Sequence, residues 1–569
     1  MTGIGIEAEG PFGPSAAWVG SARAAALSCA GAGGVLILGV FHGGFAPTAW
    51  GISTLAALWL TAMLATFRMG VAVTRGGLAL VALAVAYVSW SAASAAWTLS
   101  VPRTMFEIER DLVYASVVAV ALLLPRPDLW HAVYGVVAGL VALLAGAVAV
   151  YLASAPVFDA TQGYLLSRPL GYANALGVLA VLALPPTLAQ AATRRSASAA
   201  AVVLLAVLFL THNRSAALGL ALALVVWVGR TEEPGAAAAT LFAVAVPACG
   251  TCLVIGLLGV DTRAHRLLDG AAIAAAAAIA PFVPRPLPSA VVARRATLAA
   301  LPAVALGAVF AATKLGDRVY YWRAAWHAFR MHALAGSGAG TFDVEWFRYR
   351  EVARTVRDAH NLYLTTLAEL GIVGLVLLLA LLATPLVCAR RTRDTRLAPF
   401  LASYCAFLVH AAFEWDWKFP LVTGVALVMG VVLVASTGAT PVQFGRGART
   451  AAVGIAVVAG AFALVTLAGN SRVATAEHRL AAGDAVGAAA AAEQARRYLP
   501  WSSEPWIVLA DAEGRSGDIA AARVALRAAA QRDTHDWGVW VRVAASEHGP
   551  ARATAIRRAF ALNPLLARR

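Results

Sequence analysis

The chain has 569 residues, 60% of them hydrophobic and 13% charged, with a mean hydropathy of +0.73. A soluble globular protein carries roughly 25% charge, so a soluble protein is excluded. The formal net charge of +15 would suggest nucleic acid in a soluble chain. Here it reads instead as basic residues between membrane spans plus a site for an anionic substrate, with no nucleic acid.

Residues 1–22 are polar and Gly-rich without a cleavable signal pattern, so the first span is expected to act as its own insertion signal. Apolar runs of roughly 17–25 residues then recur, the length that a bilayer demands. They centre near 24–41, 48–66, 77–96, 111–124, 132–153, 170–190, 198–211, 214–229, 236–260, 271–283, 296–313, 360–386, 397–413, 419–436 and 451–468. In hydrocarbon every backbone N–H and C=O must pair within its segment, so each run reads as a helix. The predicted fold class is all-α: a polytopic transmembrane helical bundle of about 13–15 helices over 23–470. It carries a large extracytoplasmic loop (314–358) and a small C-terminal α-solenoid (474–569). Arg68 and Arg75, Arg126, Arg194 and Arg195, Arg230, Arg285 with Arg294 and Arg295, Arg390 to Arg396, and Arg446 with Arg449 fall in alternate connections. The positive-inside rule puts those in the cytoplasm, together with the N-terminus. The stretches 98–110, 154–168, 261–270, 314–358 and 414–418 then face outside, as does everything after 468.

Several polar groups sit where hydrocarbon is expected. Arg168 and Asn174 enter a span within Ser167-Arg168-Pro-Leu-Gly171-Tyr172-Ala-Asn174. Arginine at a membrane rim can snorkel harmlessly, but an unpaired amide a turn deeper is costly. Thr211-His212-Asn213-Arg214-Ser215 is wedged between two apolar runs with almost no linker. Its guanidinium suits a diphosphate, because the planar fork pairs with two oxygens at once. The bland reading is a hairpin tip that touches water. Cys249-Gly-Thr-Cys252 lies within a span and has no second pair, so it reads as packing rather than as a metal or redox site.

The 314–358 loop holds Lys314, Asp317, Arg318, Arg323, His327, Arg330, Asp343, Glu345, Arg348, Arg350, Glu351, Arg354 and Arg357. Tyr320, Tyr321 and Trp322 interleave with Arg318 and Arg323, a mixture suited to sugar stacking beside phosphate. Gly336, Gly338 and Gly340 are expected to permit a tight backbone course, since no Gly-Lys-Ser/Thr follows. His360 stands where this polar stretch meets an apolar helix, a candidate acid or base. Tyr363 shares its helix face, whereas Glu369 falls on the opposite face and reads as a packing residue. Glu414-Trp415-Asp416-Trp417-Lys418 reads first as an interfacial tryptophan anchor, although its carboxylates could reach the loop.

From about 474 the chain becomes amphipathic. Gly483-Asp484 recurs as Gly517-Asp518 and Trp506 as Trp540, both at an interval of 34. The tetratricopeptide repeat has that period. The tail reads as a docking surface for a protein partner or acceptor, or as a stabilising appendage.

Taken together, these motifs resemble the O-antigen ligase and O-antigen polymerase superfamily of bacterial inner-membrane glycosyltransferases, over about 80–440. Arg168-x-x-Gly171-x-x-Asn174 is similar to the family's entry motif, and Asn213-Arg214-Ser215-Ala216 to its Ser-Arg-Ser motif with Asn213 in place of the usual serine. Arg318-x-x-x-Trp322 followed by Gly336-x-Gly338-x-Gly340-Thr-Phe342 resembles its large loop, and His360-Asn361-x-Tyr363-Leu364 its most specific signature. The resemblance implies glycan transfer in the bacterial cytoplasmic membrane that needs no metal and no cofactor. The donor would be an undecaprenyl-diphosphate-linked glycan, the acceptor a glycan, lipid or protein. Carried over, Arg214 and Arg318 would hold the diphosphate, with Arg168 helping, and His360 would be the catalytic base or positioning group. Asn174, Ser215, Trp322, Arg323, Asn361 and Tyr363 would support them. A transporter and a membrane scaffold that presents the tail are the alternatives. Transport suits many spans with internal charge, but the spans hold few acidic residues and no obvious repeat.

Overall fold

The computed structural model describes residues 16–67, 72–154, 159–258, 262–313, 316–436, 442–443 and 445–568. Arg68, Lys314 and residues 1–15 of the N-terminal tail lie outside the described residues. The fold is all-α. Its helices are α1 (Ala16–Val40), α2 (Pro47–Phe67), α3 (Arg75–Ala93), α4 (Val101–Leu123), α5 (Arg126–Ala153), α6 (Ala173–Thr193), α7 (Ala197–Thr211), α8 (Arg214–Arg230), α9 (Pro234–Leu258), α10 (Arg263–Ile279), α11 (Ala290–Thr313), α12 (Arg318–Met331), α13 (Phe342–Tyr349), α14 (Leu362–Arg390), α15 (Ala398–His410), α16 (Pro420–Ala435), α17 (Arg446–Ala481), α18 (Ala485–Tyr498), α19 (Glu504–Arg515), α20 (Ile519–Arg532), α21 (Trp537–Ser546) and α22 (Gly549–Leu562). Two short strand pairs join Ala72–Val73 to Val442–Gln443 and Thr161–Gln162 to Leu165–Leu166, both antiparallel.

Each of the fifteen apolar runs read from the sequence is helical. Among the described residues, nine helical stretches are long and apolar enough to cross a membrane: α1, α2, α3, α5, α6, α9, α11, α14 and α17. Helices α7 and α16 are apolar but shorter. Helix α6 forms the centre, with Ala175, Leu176, Val178 and Leu179 fully buried against α5, α7, α8, α15 and α16.

Helix α4 is different because it brings charge into the bundle. Each of these groups finds a partner, as charges in hydrocarbon must. Arg110 pairs with Glu107, Asp111 accepts from Ser91 Oγ at 2.8 Å, and Glu109 accepts from Asn470 Nδ2 at 2.8 Å. These bonds stitch α4 to α3 and α17.

Three arginines of the basic connections are held by helix ends. Arg230 donates to Ala389 O at 2.8 Å, Arg285 to Ala191 O at 2.8 Å, and Arg126 to Ser436 O. Each accepting carbonyl lies at the C-terminal end of a helix, where unpaired carbonyls and the helix dipole favour a cation.

The loop that follows α11 is structured by α12 and α13. It turns back on α14 through glycines. Gly336 and Gly371 have φ of +71° and +65°, and a Cβ on Gly371 would sit 2.3 Å from Leu334 O. Glu369 ties the turn down, its carboxylate accepting from Gly340 N at 2.9 Å and Phe342 N at 3.1 Å. The expectation that Glu369 serves packing rather than His360 agrees with this contact.

Helix α17 has 36 residues, about 54 Å at 1.5 Å per residue, against a hydrocarbon core of roughly 30 Å. It therefore runs on beyond the span and its last turns pack on α18. The sequence boundary near 474 falls inside this continuous helix. The 34-residue interval is repeated in conformation: Gly483 and Gly517 have φ of +85° and +86°. The following aspartates cap α18 and α20 alike, Asp484 accepting from Gly487 N at 2.8 Å and Asp518 from Ala521 N at 2.9 Å.

The tail is packed on the loop. Arg103 of α4 reaches Asp343 of α13 at 2.9 Å, Asp536 at 3.4 Å, and Asp533, which also accepts from Ser100 Oγ at 2.8 Å. Arg350 donates to Asn563 Oδ1 at 2.9 Å, and the Phe347 and Trp537 rings are 5.2 Å apart. Asp533 is buried, so Arg103→Ala strands a buried carboxylate, with an expected cost of about 3–5 kcal/mol. Thermal unfolding in detergent should show the loss, and limited proteolysis should release the tail faster. Unchanged melting and cleavage would contradict a clamp at Arg103.

Candidate functional site

One end of the bundle collects the polar connections. The starts of α6, α8 and α14 lie there, and helix N-termini favour negative charge. The α7–α8 hairpin explains its own tight turn. His212 takes the left-handed conformation (φ +47°), which reverses the chain, and Asn213 caps α8 by accepting from Ala216 N at 3.0 Å.

Glu414 is the hub of this end. Its carboxylate, about 3% exposed, is paired with Arg318 at the first turn of α12. It also accepts from Tyr172 OH at 3.0 Å and lies 3.4 Å from Ser215 Oγ. Tyr172 OH in turn accepts from Asn174 Nδ2 at 3.0 Å, and Asn213 Nδ2 donates to Asn174 O at 2.8 Å. Behind this layer, Ser215 Oγ is 3.1 Å from His410 Nδ1, and His410 Nε2 is 2.9 Å from Asp416. His410 and Asp416 are fully buried. One buried network therefore joins α6, α8, α12, α15 and the 414–418 turn.

His360 sits beside it. It is a non-glycine residue at φ +52°, a conformation that costs about 1–2 kcal/mol and persists where the surroundings impose it. Asp358 imposes it by accepting from the His360 N–H at 3.0 Å and by lying 3.3 Å from Nδ1. The ring is 5.2 Å from Tyr321 and 6.5 Å from Trp415, and the side chain stays 19% exposed, so a substrate can reach it. Burial opposes the imidazolium, but the Asp358 carboxylate outweighs it, with Glu414 adding to the pull. The group is held above the ordinary histidine value. Burial likewise opposes the Asp358 carboxylate, yet His360 and Lys418 hold it below its ordinary value.

The remaining expected residues have separate placements. Arg214 is exposed and, among the described residues, has no ion-pair or hydrogen-bond partner. It stands at the shared mouth of two apolar grooves that flank α8. One, of about 840 Å³, runs between α8, α9 and α11; the other, of about 770 Å³, runs between α6, α7, α8 and α9. Arg168 is exposed and donates to Asp159 O at 3.1 Å. Trp322 packs near Phe413, with ring centroids 6.3 Å apart. Arg323 faces solvent near Glu351 at 3.5 Å. Asn361 caps α14 by accepting from Leu364 N at 2.9 Å, and Tyr363 OH donates to Leu408 O at 2.9 Å. The structure thus brings Asn174, Ser215 and Arg318 together around Glu414. Arg323 lies apart, and the side-chain bonds of Asn361 and Tyr363 are to backbone.

Sequence reasoning did not single out Tyr172, Asp358, His410 or Lys418. His410 carried a usable signal, being an ionisable residue inside an apolar run. The 414–418 turn was read chiefly as an anchor. Its tryptophans do pack in aromatic contacts, Trp415 at 4.8 Å from Tyr172, but its acids and Lys418 turn inward. Glu414→Ala leaves Arg318 and Tyr172 without their acceptor, with an expected cost of about 3–5 kcal/mol. Tyr172→Phe removes two hydrogen bonds, about 2 kcal/mol together. Thermal unfolding of both variants would rank them; equal small losses would contradict a hub at Glu414.

Residues 199–379 match the sequence model of the family described as O-antigen ligase. The matched stretch takes in Arg214, Ser215, Arg318 and His360, and leaves out Arg168, Asn174 and Glu414. No curated protein matches the chain. Residues 199–379 of this all-α polytopic membrane protein are therefore similar to the O-antigen ligase family.

Proposed function

We propose that the protein transfers a glycan from an undecaprenyl-diphosphate carrier to an acceptor hydroxyl at the outer face of the bacterial cytoplasmic membrane, as a ligase or polymerase. The observation that carries this reading is Arg318, fixed by a buried Glu414 within electrostatic reach of His360. An exposed Arg214 adds positive charge at the mouth of two apolar grooves.

The chemistry follows from these groups. The acceptor oxygen attacks the anomeric carbon and the bond from that carbon to the diphosphate breaks. The bonding pair leaves with the diphosphate oxygen, and the acceptor proton goes to neutral His360. Arg318 and Arg214 stabilise the charge that gathers on the leaving diphosphate. A fixed Arg318 needs little reorganisation at that moment. The carrier's hydrocarbon tail fits a groove beside α8, which keeps its diphosphate level with Arg214. The basic connections at the opposite end orient this site to the extracytoplasmic side. On the same orientation the C-terminal helices are extracytoplasmic, a tetratricopeptide-like unit held against the catalytic loop.

The direct test is release of undecaprenyl diphosphate in liposomes loaded with the lipid-linked oligosaccharide. Wild type should release it together with a longer or transferred glycan, and product size distinguishes polymerase from ligase. His360→Ala should slow release by about 10²–10⁴-fold. Release by wild type without dependence on His360, or none from a folded protein with any acceptor fraction, would contradict the reading. Donor binding should weaken by roughly 10–100-fold in Arg214→Ala and Arg318→Ala, the loss of one charge-assisted contact each. Arg318→Lys should restore little if the contact is bidentate. Normal binding in both alanine variants would remove the arginines from the donor site.

The base must be neutral to accept a proton. Because Asp358 holds His360 above the ordinary histidine range, activity should fall on acidification at a pH above that range. Asp358→Asn keeps an oxygen for the His360 N–H but removes the negative charge, so the acid limb should move to lower pH. A pH–rate profile that does not move would contradict His360 as the base.

A further inference from the structure

One part of the loop between α11 and α14 has an apolar surface. Trp326, Met331 and Leu334 are 52%, 60% and 68% exposed, along the second half of α12 and the turn after it. A polar loop in water has little reason to present three large apolar side chains together.

Their position along α14 gives the reason. Ala333 O accepts from Ile372 N at 2.9 Å and Leu334 O from Val373 N at 3.4 Å. Gly371 (φ +65°, ψ −165°) breaks α14, so Ile372 opens its long second part. That part, 372–390, has 19 residues, about 28 Å, against a hydrocarbon core of roughly 30 Å. It is just long enough to span the core, so Ile372 stands at the outer headgroup–hydrocarbon boundary. The end of α12 is hydrogen-bonded to that level. Below it, Ile372, Val376 and Leu379 continue as exposed apolar side chains on one face of α14, at i, i+4 and i+7. The exposed apolar side chains at the end of α12 thus adjoin a lipid-facing strip.

Two further observations fit. Trp90 Nε1 donates to Leu370 O at 3.0 Å and Trp97 Nε1 to Ala335 O at 3.2 Å, which sets two indoles at this level. Tryptophan collects at the membrane–water boundary. Arg323 and Arg330 are exposed within one turn of Trp326 on either side, where a long cationic side chain beside an interfacial indole can snorkel to lipid phosphates.

We infer that α12 is a membrane-surface helix: residues 326–334 are set into the headgroup–hydrocarbon boundary, and the partner of this face is the lipid bilayer itself. The helix then descends from Arg318 at the polar site to Leu334 in the membrane. The inference does not depend on the reaction proposed above.

Site-directed spin labels in liposomes test it. In full-length protein with the five native cysteines replaced by alanine, checked to elute and melt like the parent, cysteine is introduced singly at Trp326, Met331 and Leu334. Val376→Cys serves as the bilayer reference and Arg354→Cys as the aqueous one. Labels at 331 and 334 should relax with dissolved oxygen more than with an aqueous nickel chelate, as at 376, and the label at 326 should fall between the references. Nickel accessibility matching 354 at both 331 and 334 would overturn the inference in favour of a water-exposed loop. Protection from both reagents would overturn it in favour of a covering protein, a second copy included. The three positions are independent, so one variant that fails to fold does not decide the outcome.

Discussion

A carboxylate buried at a membrane surface must be paired, and the pairing of Glu414 organises the rest of this molecule. Left alone, Glu414 would carry a large desolvation penalty. Arg318 from the loop, Tyr172 from the entry to α6 and Ser215 from α8 converge to meet it. Four segments far apart in sequence are thereby fixed around one point. The loop cannot swing away without exposing Arg318 and orphaning Glu414. The same contact sets a guanidinium within electrostatic reach of His360, so one interaction both closes the fold at this end and gathers the groups of the proposed site.

Charge is sorted along the bundle with a consistent logic. At the far end, Arg285, Arg230 and Arg126 donate to helix C-terminal carbonyls at Ala191, Ala389 and Ser436. At the near end stand helix N-termini, an exposed Arg214 and the Glu414-bound Arg318. Between the ends, α4 carries charges that neutralise one another internally and connect the bundle to α17 and the tail. The tail therefore reads as a strut as much as a docking surface. Arg103 joins α4, α13 and α21 at one guanidinium, so displacement of the tail would be felt by the loop that carries Arg318.

The helical class and the helix positions were legible in the sequence because hydrocarbon length and backbone pairing leave few choices. The tail repeat was legible because Gly483-Asp484 and Gly517-Asp518 recur in the same conformation. The site was legible only in part. Arg214, Arg318 and His360 stand out as charges in an apolar chain, whereas the groups that hold them do not. Glu414 lies among tryptophans that suggest an anchor, and its contacts span 96, 199 and 242 residues. Asp358 is two residues from His360, yet its role depends on the left-handed turn between them. No local pattern encodes such pairings, because they arise from where the helices end after the bundle has packed. The loop also hid its membrane-facing part, since its charge count masks an amphipathic helix.

The most direct measurement of the central claim is a cryo-electron microscopy map of the protein in nanodiscs with undecaprenyl diphosphate. The account predicts diphosphate density between Arg214 and Arg318, with Glu414 still against Arg318 and the hydrocarbon tail in a groove beside α8. Diphosphate bound away from both arginines, or at the end that carries Arg126, Arg230 and Arg285, would contradict it.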